Sequence, residues 1–382
     1  MRVLYILHSA TMGGATIAIN SLVEELTKYG IDPIIAIPSN ENCVDDSVLL
    51  EQYKKKQWDY EQIIMNPLMI PGSGMTRLLN PLRYARSWIR RIASIVQIIT
   101  LVKKYNVGII HTNTGVIQEG YYVSSLLKIP HVWHIREYQD KDFGFSFFPS
   151  KNDVARKFCN SFSICITKDI QKHFDLDKSY KSIVIHDPIF SMKCFSMHIK
   201  EKQNYFIVAN RISKEKGIEP IVNAFSVFVK ESPGYRLKIA GGGEAKYIQY
   251  IRQHCVRKGI SNKVDFLGYV DDIKPLLCEA RALLVGSYHE GFGMMTAEAI
   301  MMGCLVIGRN SAGTSEIVSS TDGGVLYDND DEILQYMRYV SKLRNEEYEK
   351  RAEYAMIRAW KLYNSELSGK RVFDFYNMII RR

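Results

Sequence analysis

Short apolar runs alternate with longer amphipathic segments along the chain, and this alternation restricts the possible fold more than any other feature. Residues 2–8 form an apolar run, and residues 16–29 carry apolar side chains at helical spacing before Gly30 interrupts the pattern. Glycine commonly follows the last turn of a helix. Further apolar runs at residues 34–37 and 107–111 are again separated by helix-like sequence. The pattern predicts βαβ units and therefore a parallel sheet.

The same alternation starts again after a polar, irregular stretch at residues 191–204. Residues 205–208 and 236–240 are typical of strands, and residues 218–230 between them are typical of a helix. Two series of βαβ units predict an α/β protein with two Rossmann-like domains. We place the first domain at residues 1–190, the second at residues 191–360 and a C-terminal helix at residues 361–382.

Composition limits the class of protein. A chain of 382 residues with 46% hydrophobic and 24% charged residues can bury sizeable cores, which excludes disordered and collagen-like chains. The apolar stretch at residues 92–102 falls short of the roughly 20 residues of a spanning helix, and the N-terminal run is too short for a secretory signal. The seven cysteines form no CxxC pair, which favours free thiols in a reducing compartment. We therefore expect a cytoplasmic protein without a transmembrane segment.

The basic excess is concentrated in one segment. The formal net charge is +9, and no Asp or Glu occurs between Glu61 and Glu119. Within this interval, residues 80–104 mix four arginines with Trp88 and several leucines and isoleucines. Two interpretations stay open: a buried helix with a solvated basic edge, or a basic amphipathic helix on an anionic membrane surface. A nucleic-acid partner is not expected, because the charge is mild and no RNA-binding motif is found.

Two loops that follow predicted strands carry residues suited to anions. SATMGGA, residues 9–15, has adjacent Gly13 and Gly14 before a helix, where the backbone can approach a phosphate. A tight turn that serves only packing explains these glycines equally well. NRISKEKG, residues 210–217, holds Arg211 and Lys216 at the end of a strand, where side chains of a parallel sheet line the ligand crevice. The two cations can neutralise a diphosphate, although a solvated basic loop is favoured when this segment is taken alone.

The most specific segment is EGFGMMTAE, residues 290–298. Glu290 lies in a loop and Glu298 about two turns into a helix. Gly291 and Gly293 expose N–H groups at the start of that helix, which again suits an anion. A carboxylate within the helix can accept two ribose hydroxyls, and one in the loop can hold a sugar hydroxyl and stabilise positive charge at the anomeric carbon. A surface glutamate and a helix-capping glutamate form the alternative.

Together these segments resemble the family 4 glycosyltransferases, which are retaining enzymes of the GT-B fold. EGFGMMTAEAIMMG, followed by LVIG and AGTSEIV, resembles the family's E-x7-E block and its downstream Gly-x-x-Glu segment. NRISKEKG resembles the Arg-x4-Lys diphosphate clamp, and SATMGGA resembles the N-terminal glycine loop. FLGYV resembles the base-proximal segment, and HTNT and WHIREY fall where the family has acceptor-side and catalytic-pocket residues. The resemblance covers nearly the whole chain and implies a GT-B architecture, in which two Rossmann-like domains face a central cleft.

The resemblance also implies a role for each matching residue. Arg211 and Lys216 would bind the diphosphate, and Glu298 would hold the ribose. Glu290 would contact the donor sugar, and His134 would lie beside the anomeric carbon and the acceptor. Glu290, His134, Arg211 and Lys216 are thus the expected catalytic residues. The other expected donor-binding residues are Gly13, Gly14, Gly268, Val270, Gly291, Phe292 and Gly293. As the fold often does, the C-terminal helix would pack back on the first domain.

Three positions depart from the family pattern. Arg136 and Glu137 follow His134 and Ile135, where the family often shows His-Asp. Leu305 stands where proline is usual, and HDPI at residues 186–189 replaces a Pro-Asn-Gly turn. None of these departures falls on the arginine, the lysine or the two glutamates of the donor motifs.

The implied activity is hexosyl transfer with retention of configuration from a nucleotide-diphosphate donor, with a UDP-sugar favoured by family frequency. The acceptor would be a lipid-linked saccharide or an oligosaccharide in capsule, exopolysaccharide, O-antigen or other lipopolysaccharide assembly. Residues 80–104 would then give peripheral contact with the inner face of the plasma membrane. No metal or other cofactor is expected, because a cationic clamp holds the diphosphate. The alternatives are a GT-B sugar-nucleotide epimerase and a non-catalytic basic binding protein.

Overall fold

The computed structural model describes residues 1–39, 46–65, 69–70, 79–147 and 150–381. The chain divides into two units. Unit 1 comprises Met1–Pro188 together with Ser365–Arg382, and unit 2 comprises Ile189–Asn364. The boundaries expected from the sequence, after residues 190 and 360, lie near these divisions.

The strands of unit 1 form one parallel sheet. In chain order they are β1 (Arg2–Leu7), β2 (Asp32–Pro38), β3 (Asp59–Ile63), β4 (Ile109–Asn113), β5 (His131–Ile135), β6 (Phe162–Cys165) and β7 (Ser182–Val184). They lie in the order β3-β2-β1-β4-β5-β6-β7. All five residues of both β4 and β5 are buried, as expected for central strands covered on both faces. The strand order reverses between β1 and β4, and ligand crevices of open α/β sheets lie at the carboxyl ends of strands at such a point.

Helices cover both faces of this sheet. Those that precede unit 2 are α1 (Gly14–Thr27), α2 (Asp46–Lys56), α3 (Asn80–Tyr105), α4 (Glu119–Leu127), α5 (Asp140–Phe143), α6 (Lys151–Asn160) and α7 (Lys168–His173). Alternate residues of β1 enter opposite cores, because side chains alternate across a strand. Tyr5 packs in a core that includes Leu22 of α1, whereas Ile6 packs in a core that includes Ile98 of α3.

Unit 2 repeats this architecture. Its strands are β8 (Tyr205–Ala209), β9 (Arg236–Ala240), β10 (Val264–Gly268), β11 (Ala282–Val285), β12 (Val306–Arg309) and β13 (Gly324–Tyr327). They form a parallel sheet in the order β10-β9-β8-β11-β12-β13, which reverses between β8 and β11. Its helices are α8 (Ile218–Glu231), α9 (Ala245–Arg257), α10 (Lys274–Glu279), α11 (Met294–Met301), α12 (Ala312–Thr321), α13 (Glu332–Lys342) and α14 (Asn345–Tyr363). The prediction of two Rossmann-like domains is confirmed.

The C-terminal helical segment is divided between the units. It contains α14 and a further helix, α15 (Ser365–Ile380), separated at Asn364, whose backbone is extended. The sequence predicts a C-terminal helix from residue 361, whereas the observed helix begins at Ser365. In unit 1, α15 packs on α1 closely enough that a Cβ on Gly369 would lie 2.5 Å from the Cβ of Glu25. Ser365 Oγ also donates to Glu25 Oε1 at 3.0 Å.

The sequence led us to expect no transmembrane segment and free thiols, and the structure can be compared with both expectations. No helix in the described ranges is long and apolar enough to cross a membrane. The described cysteines are free thiols, and Cys43 lies outside the described residues.

Candidate active site

Two loops of unit 2 approach each other closely where the strand order reverses. Gly217 follows β8, has a φ of +62° and precedes α8, and a Cβ there would lie 2.2 Å from the carbonyl oxygen of Gly286. A Cβ on Gly286, after β11, would lie 2.5 Å from the carbonyl oxygen of Gly217. A side chain at either position would collide with backbone, so both positions require glycine. The two glycines thereby fix Lys216 relative to the residues that follow β11.

Lys216 and Glu290 form an ion pair at this point. Lys216 Nζ lies 2.6 Å from Glu290 Oε1, although the two residues are 74 positions apart in the sequence. Ser287 Oγ donates a hydrogen bond to the same carboxylate oxygen at 2.6 Å. The lysine and glutamate side chains are 22% and 19% exposed, so the pair is partly desolvated and still accessible. The structure therefore joins the second cation of the expected clamp to the first glutamate of the E-x7-E block.

Arg211 occupies a different environment from Lys216. It lies at the carboxyl end of β8, is exposed and forms no ion pair with any described residue. Hydrogen bonds from its own backbone and from Ser213 lower the pKa of Glu215, and the charges of Arg211 and Lys216 lower that pKa further. The guanidinium of Arg211 therefore adds positive charge to this loop, and the structure gives it no contact with Glu290.

The loop from Glu290 to Gly293 packs against α12. Gly313 N–H donates to the carbonyl oxygen of Glu290 at 3.1 Å, and a Cβ on Gly313 would lie 1.9 Å from the carbonyl oxygen of Phe292. The ring of Phe292 is buried, with its centroid 5.6 Å from that of Tyr363. Phe292 therefore anchors the loop through packing.

The glycines of this loop set the start of α11. Gly293 is its N-cap with a φ of +91°, and its carbonyl oxygen accepts hydrogen bonds from Thr296 and Ala297. Gly291 precedes it and is half-buried. The first turn of α11 carries no acidic residue, so the positive end of the helix dipole is not neutralised from within the helix.

Glu298 is a half-buried residue within α11. Burial raises the pKa of Glu298 to about 7, and the positive charge of Lys274 partly opposes this. Its carboxyl accepts no hydrogen bond from the described residues. Glu290 and Glu298 thus have different surroundings: the first is ion-paired and hydrogen-bonded, and the second is desolvated.

The remaining donor-side residues of unit 2 lie at the end of β10. Gly268 has a φ of +69°, and its carbonyl oxygen accepts a hydrogen bond from Gly241 N–H at 2.6 Å. Val270 follows in the next loop and is half-buried. A Cβ on Gly241 would lie 1.9 Å from the carbonyl oxygen of Asn210, so this glycine brings the loops after β8, β9 and β10 together.

Sequence reasoning missed several residues that position this site. Ser287 was not singled out, because one serine in a loop has no distinctive signal. The pairing of Gly217 with Gly286 could have been suspected from glycines that follow neighbouring predicted strands. Gly313 lies in the AGTSEIV segment, but only the folded chain shows its contact with the loop from Glu290.

In unit 1, Gly13 and Gly14 stand at the start of α1. Gly13 is the N-cap with an extended backbone, and apart from its chain neighbours no atom of the described residues lies within 4 Å of the position that its Cβ would occupy. Gly14 is the first residue of the helix and is exposed. The loop therefore leaves open space beside the N-terminal N–H groups, which can bind an anion.

His134 lies on β5 within a buried hydrogen-bond network. Its Nδ1 is 3.2 Å from His111 Nε2, and His111 Nδ1 is 2.5 Å from the hydroxyl of Tyr376 on α15. Arg136 Nη2 also approaches His134 Nδ1, at 3.3 Å. Burial lowers the pKa of both histidines well below the usual value, and the charge of Arg136 lowers each further. Both imidazoles are therefore neutral near pH 7.

The arginine determines which nitrogen of each imidazole carries the proton. Arg136 can only donate, so His134 Nδ1 must be the acceptor. The proton between the rings then belongs to His111 Nε2, and Tyr376 donates to His111 Nδ1. The remaining proton of His134 is on Nε2, which lies 3.8 Å from Asp187 Oδ1. The neutral His134 thus keeps an Nε2–H that makes no hydrogen bond with the described residues.

Two departures from the family pattern meet in this network. Arg136 Nη1 donates to Asp187 of the HDPI turn, and Arg136 Nε donates to Asn113 Oδ1 at 2.6 Å. Glu137 accepts hydrogen bonds from Gly115 N–H and Arg136 N–H, yet burial raises its pKa to about 8. Glu137 is therefore mostly protonated near pH 7.

The fold and site define a protein of the GT-B class. The structure superposes on that of the Anabaena protein HepE in complex with UDP, with a TM-score of 0.77 and 15% sequence identity. The superposition covers 99% of this chain and 100% of the HepE chain. The same protein is also known in complex with UDP-glucose. At this identity the likeness establishes the fold alone, and the GT-B prediction is confirmed.

Sequence comparison is more specific for unit 2. Residues 194–358 match the family model described as glycosyl transferases group 1. The chain is 29% identical over 132 residues to the uncharacterized glycosyltransferase MJ1607 of Methanocaldococcus jannaschii, a match covering 34% of this chain and 33% of the relative. It is 25% identical over 199 residues, 52% of this chain and 54% of the relative, to a Campylobacter jejuni N-acetylgalactosaminyltransferase whose name specifies a diNAcBac-PP-undecaprenol-linked substrate. The chain thus spans a third to about half the length of these relatives, and the matches support a glycosyltransferase.

Proposed function

We propose that this protein is a retaining family 4 glycosyltransferase that transfers a hexosyl group from a UDP-sugar to a lipid-linked saccharide. The observation that carries the proposal is the contact of Lys216 with Glu290 beside the exposed Arg211. It joins the Arg-x4-Lys and E-x7-E motifs at the carboxyl ends of adjacent strands, where α/β proteins bind nucleotides. Capsule, exopolysaccharide or O-antigen assembly is the context in which such an acceptor would be used.

Charge accounts for the part played by unit 2. Lys216 forms an ion pair with Glu290, whereas Arg211 forms no ion pair with a described residue. A bound diphosphate would accept two hydrogen bonds from the guanidinium of Arg211 and one from the ammonium group of Lys216. Lys216 has three N–H donors and could therefore keep its contact with Glu290. Both cations would stabilise the charge that develops on the departing diphosphate. Glu290 would hold the donor sugar, and Glu298 would accept the ribose hydroxyls.

Retention requires the acceptor to attack from the face that the diphosphate leaves. In this proposal the departing phosphate takes the proton of the acceptor hydroxyl, so no protein base and no metal or other cofactor is needed. His134, which burial keeps neutral, would act as a hydrogen-bond donor to a bound sugar. The undecaprenol-linked substrate of the Campylobacter relative supports a lipid-linked acceptor, and the complexes of HepE support UDP.

Nucleotide binding to matched lysine variants tests the proposal. Thermal shifts with UDP, GDP, ADP and dTDP would be measured on the wild type, Lys216→Ala and Lys214→Ala. Lys214 lies in the same turn and is exposed, so its removal changes the same charge without touching Glu290. We expect UDP to stabilise the wild type and Lys214→Ala, and to bind Lys216→Ala roughly 10- to 100-fold more weakly, because a charge-assisted hydrogen bond is lost.

Turnover separates the proposed activity from its alternatives. With a UDP-sugar and an acceptor, release of free UDP is expected, and Lys216→Ala should lower the rate by roughly 10²- to 10³-fold. A sugar-nucleotide epimerase would change the donor without releasing UDP. Equal nucleotide binding by both lysine variants, or no response to any nucleotide at millimolar concentration, would contradict the diphosphate clamp.

A further inference from the structure

The long helix α3 of unit 1 presents apolar side chains to solvent. Leu82 is 69% exposed, Ile89 72%, Ile92 60% and Val96 57%. Leu82, Ile89 and Val96 are spaced seven residues apart, and a straight helix drifts only about 20° over such a step. These three residues therefore form one stripe along the helix, with Ile92 at its side. A contiguous apolar surface of this kind commonly marks an interaction site.

The opposite face of α3 is polar in the N-terminal half of the helix, where Asn80, Ser87, Arg91 and Ser94 are buried. Arg91 is fully buried, and its Nε lies 3.5 Å from Oε1 of the equally buried Glu119 at the start of α4. Its guanidinium also stacks over the rings of Trp88 and Tyr122, at 4.9 and 5.6 Å. The contacts of Arg91 and Trp88 are thus made within unit 1. Within residues 80–104, Arg91 therefore belongs to the buried face of the helix, whereas the apolar stripe lies on the exposed face.

The exposed surface of α3 carries cations as well as apolar side chains. Arg86 and Arg90 are exposed and form no ion pair with the described residues. From Asn80 to Tyr105 the helix contains no Asp or Glu. The acidic residues that flank α3 in the sequence pair with other cations of the same helix: Glu61 pairs with Lys104 at 2.6 Å, and Glu119 pairs with buried Arg91. The exposed surface therefore combines apolar side chains with uncompensated positive charge.

The apolar surface continues beyond the N-terminal end of the helix. Leu79 is half exposed, and next to it Asn80 Nδ2 donates to Ser146 Oγ at 3.2 Å. Phe143, close to Ser146 in sequence, is also exposed, and its ring stacks on that of Phe145. Large apolar side chains are therefore exposed on two neighbouring segments of unit 1.

We propose that the exposed face of α3, formed by Leu82, Arg86, Ile89, Arg90 and Ile92, docks on an anionic lipid bilayer. A helix with apolar and basic residues on one face lies in the plane of the interface, with the apolar side chains among the acyl chains and the cations at the headgroups. The charge of this face favours an anionic bilayer over a second copy of the chain, because self-association would bring the arginines of two copies together. The docking stands independently of the glycosyl transfer, because it concerns binding to lipid alone.

Vesicle flotation with surface variants tests the proposal. The vesicles would contain phosphatidylcholine with about one third phosphatidylglycerol, and pure phosphatidylcholine would serve for comparison. We expect the wild type to float with the anionic vesicles and to be released by high salt. Each basic residue near such a surface contributes about fivefold in partition, so Arg86→Gln with Arg90→Gln should weaken binding about thirtyfold. Ile89→Ser with Ile92→Ser should weaken it at least tenfold.

Matched controls come from α9 of unit 2 and from Lys258, which directly follows it, because this segment also exposes basic and apolar residues. Lys246→Gln with Lys258→Gln removes the same charge, and Val256→Ser removes an equally exposed apolar side chain. These variants should float as the wild type does. Equal losses in the α3 and α9 variants would show general charge attraction and overturn the proposal, as would absence of flotation. A dimer in sedimentation that the isoleucine variant dissociates, with flotation unchanged, would assign the face to self-association and also overturn it.

Discussion

The close approach of Gly217 to Gly286 predicts that one methyl group will misplace Lys216. In Gly217→Ala, alanine must adopt a φ of +62°, at a cost of about 1–2 kcal/mol. The new Cβ also meets the Gly286 oxygen at 2.2 Å, and relieving such overpacking typically costs about 1–3 kcal/mol. We expect the free energy of unfolding to fall by about 2–5 kcal/mol, a substantial part of the ~5–15 kcal/mol of an ordinary domain.

Two other glycines of unit 2 separate these contributions. Gly259 has a φ of +70°, and apart from its chain neighbours no atom of the described residues lies within 4 Å of its Cβ position, so Gly259→Ala should show only the backbone cost of about 1–2 kcal/mol. Gly242 has neither feature, and Gly242→Ala should change the free energy of unfolding by less than about 0.5 kcal/mol. Urea unfolding of the three variants measures these differences.

The functional effect of Gly217→Ala should exceed its effect on stability. An ordinary contact between Cβ and oxygen exceeds 3 Å, so the loop must move by roughly 1 Å, which shifts Lys216 relative to Glu290. Misplacement of a catalytic group by about 1 Å can cost roughly 10²-fold in rate. UDP affinity by calorimetry and UDP release by a coupled assay would measure this in the folded variant. The reasoning is refuted if Gly217→Ala loses no more stability than Gly259→Ala and binds UDP as the wild type does.

Two further predictions concern titration and hydrogen bonding. Since burial raises the pKa of Glu298 to about 7, its carboxylate form increases as the pH rises through 7. If this carboxylate accepts ribose hydroxyls, the UDP affinity of the wild type should rise from pH 6 to 8 relative to that of Glu298→Gln. At pH 8 the variant should bind UDP about tenfold more weakly than the wild type. Parallel pH profiles of the two proteins would contradict the assignment. Tyr376→Phe removes the donor to His111 Nδ1 and should lower kcat with little effect on UDP affinity, whereas an equal fall in UDP affinity would argue against a role through His134.

The fold could be predicted because its signals are local. Strands such as β4 are buried on both faces and therefore appear as short apolar runs, and the intervening helices show helical periodicity. The break at Asn364 has no such signal. The helical pattern continues across it, and the close packing of Gly369 against Glu25 of α1 becomes visible only in the folded unit.

Residue type and spacing likewise indicated the chemistry of the candidate site but not its contacts. A carboxylate, a lysine and an arginine near strand ends suggest a sugar diphosphate, whatever their distance in the sequence. The 2.6 Å contact of Lys216 with Glu290 depends on two glycines that follow adjacent strands, β8 and β11, and on Ser287. No local pattern specifies which loops will meet.

The sequence by itself determined two βαβ series, the residue types suited to a diphosphate and an acid-free basic segment. Tertiary structure alone decided which face of α3 is exposed. By composition, Arg91 belongs with Arg86 and Arg90, yet it is buried against Glu119 because α4 packs on that side of the helix. Helical periodicity defines faces, whereas burial depends on what packs against each face, and that partner is chosen by the fold of the whole unit.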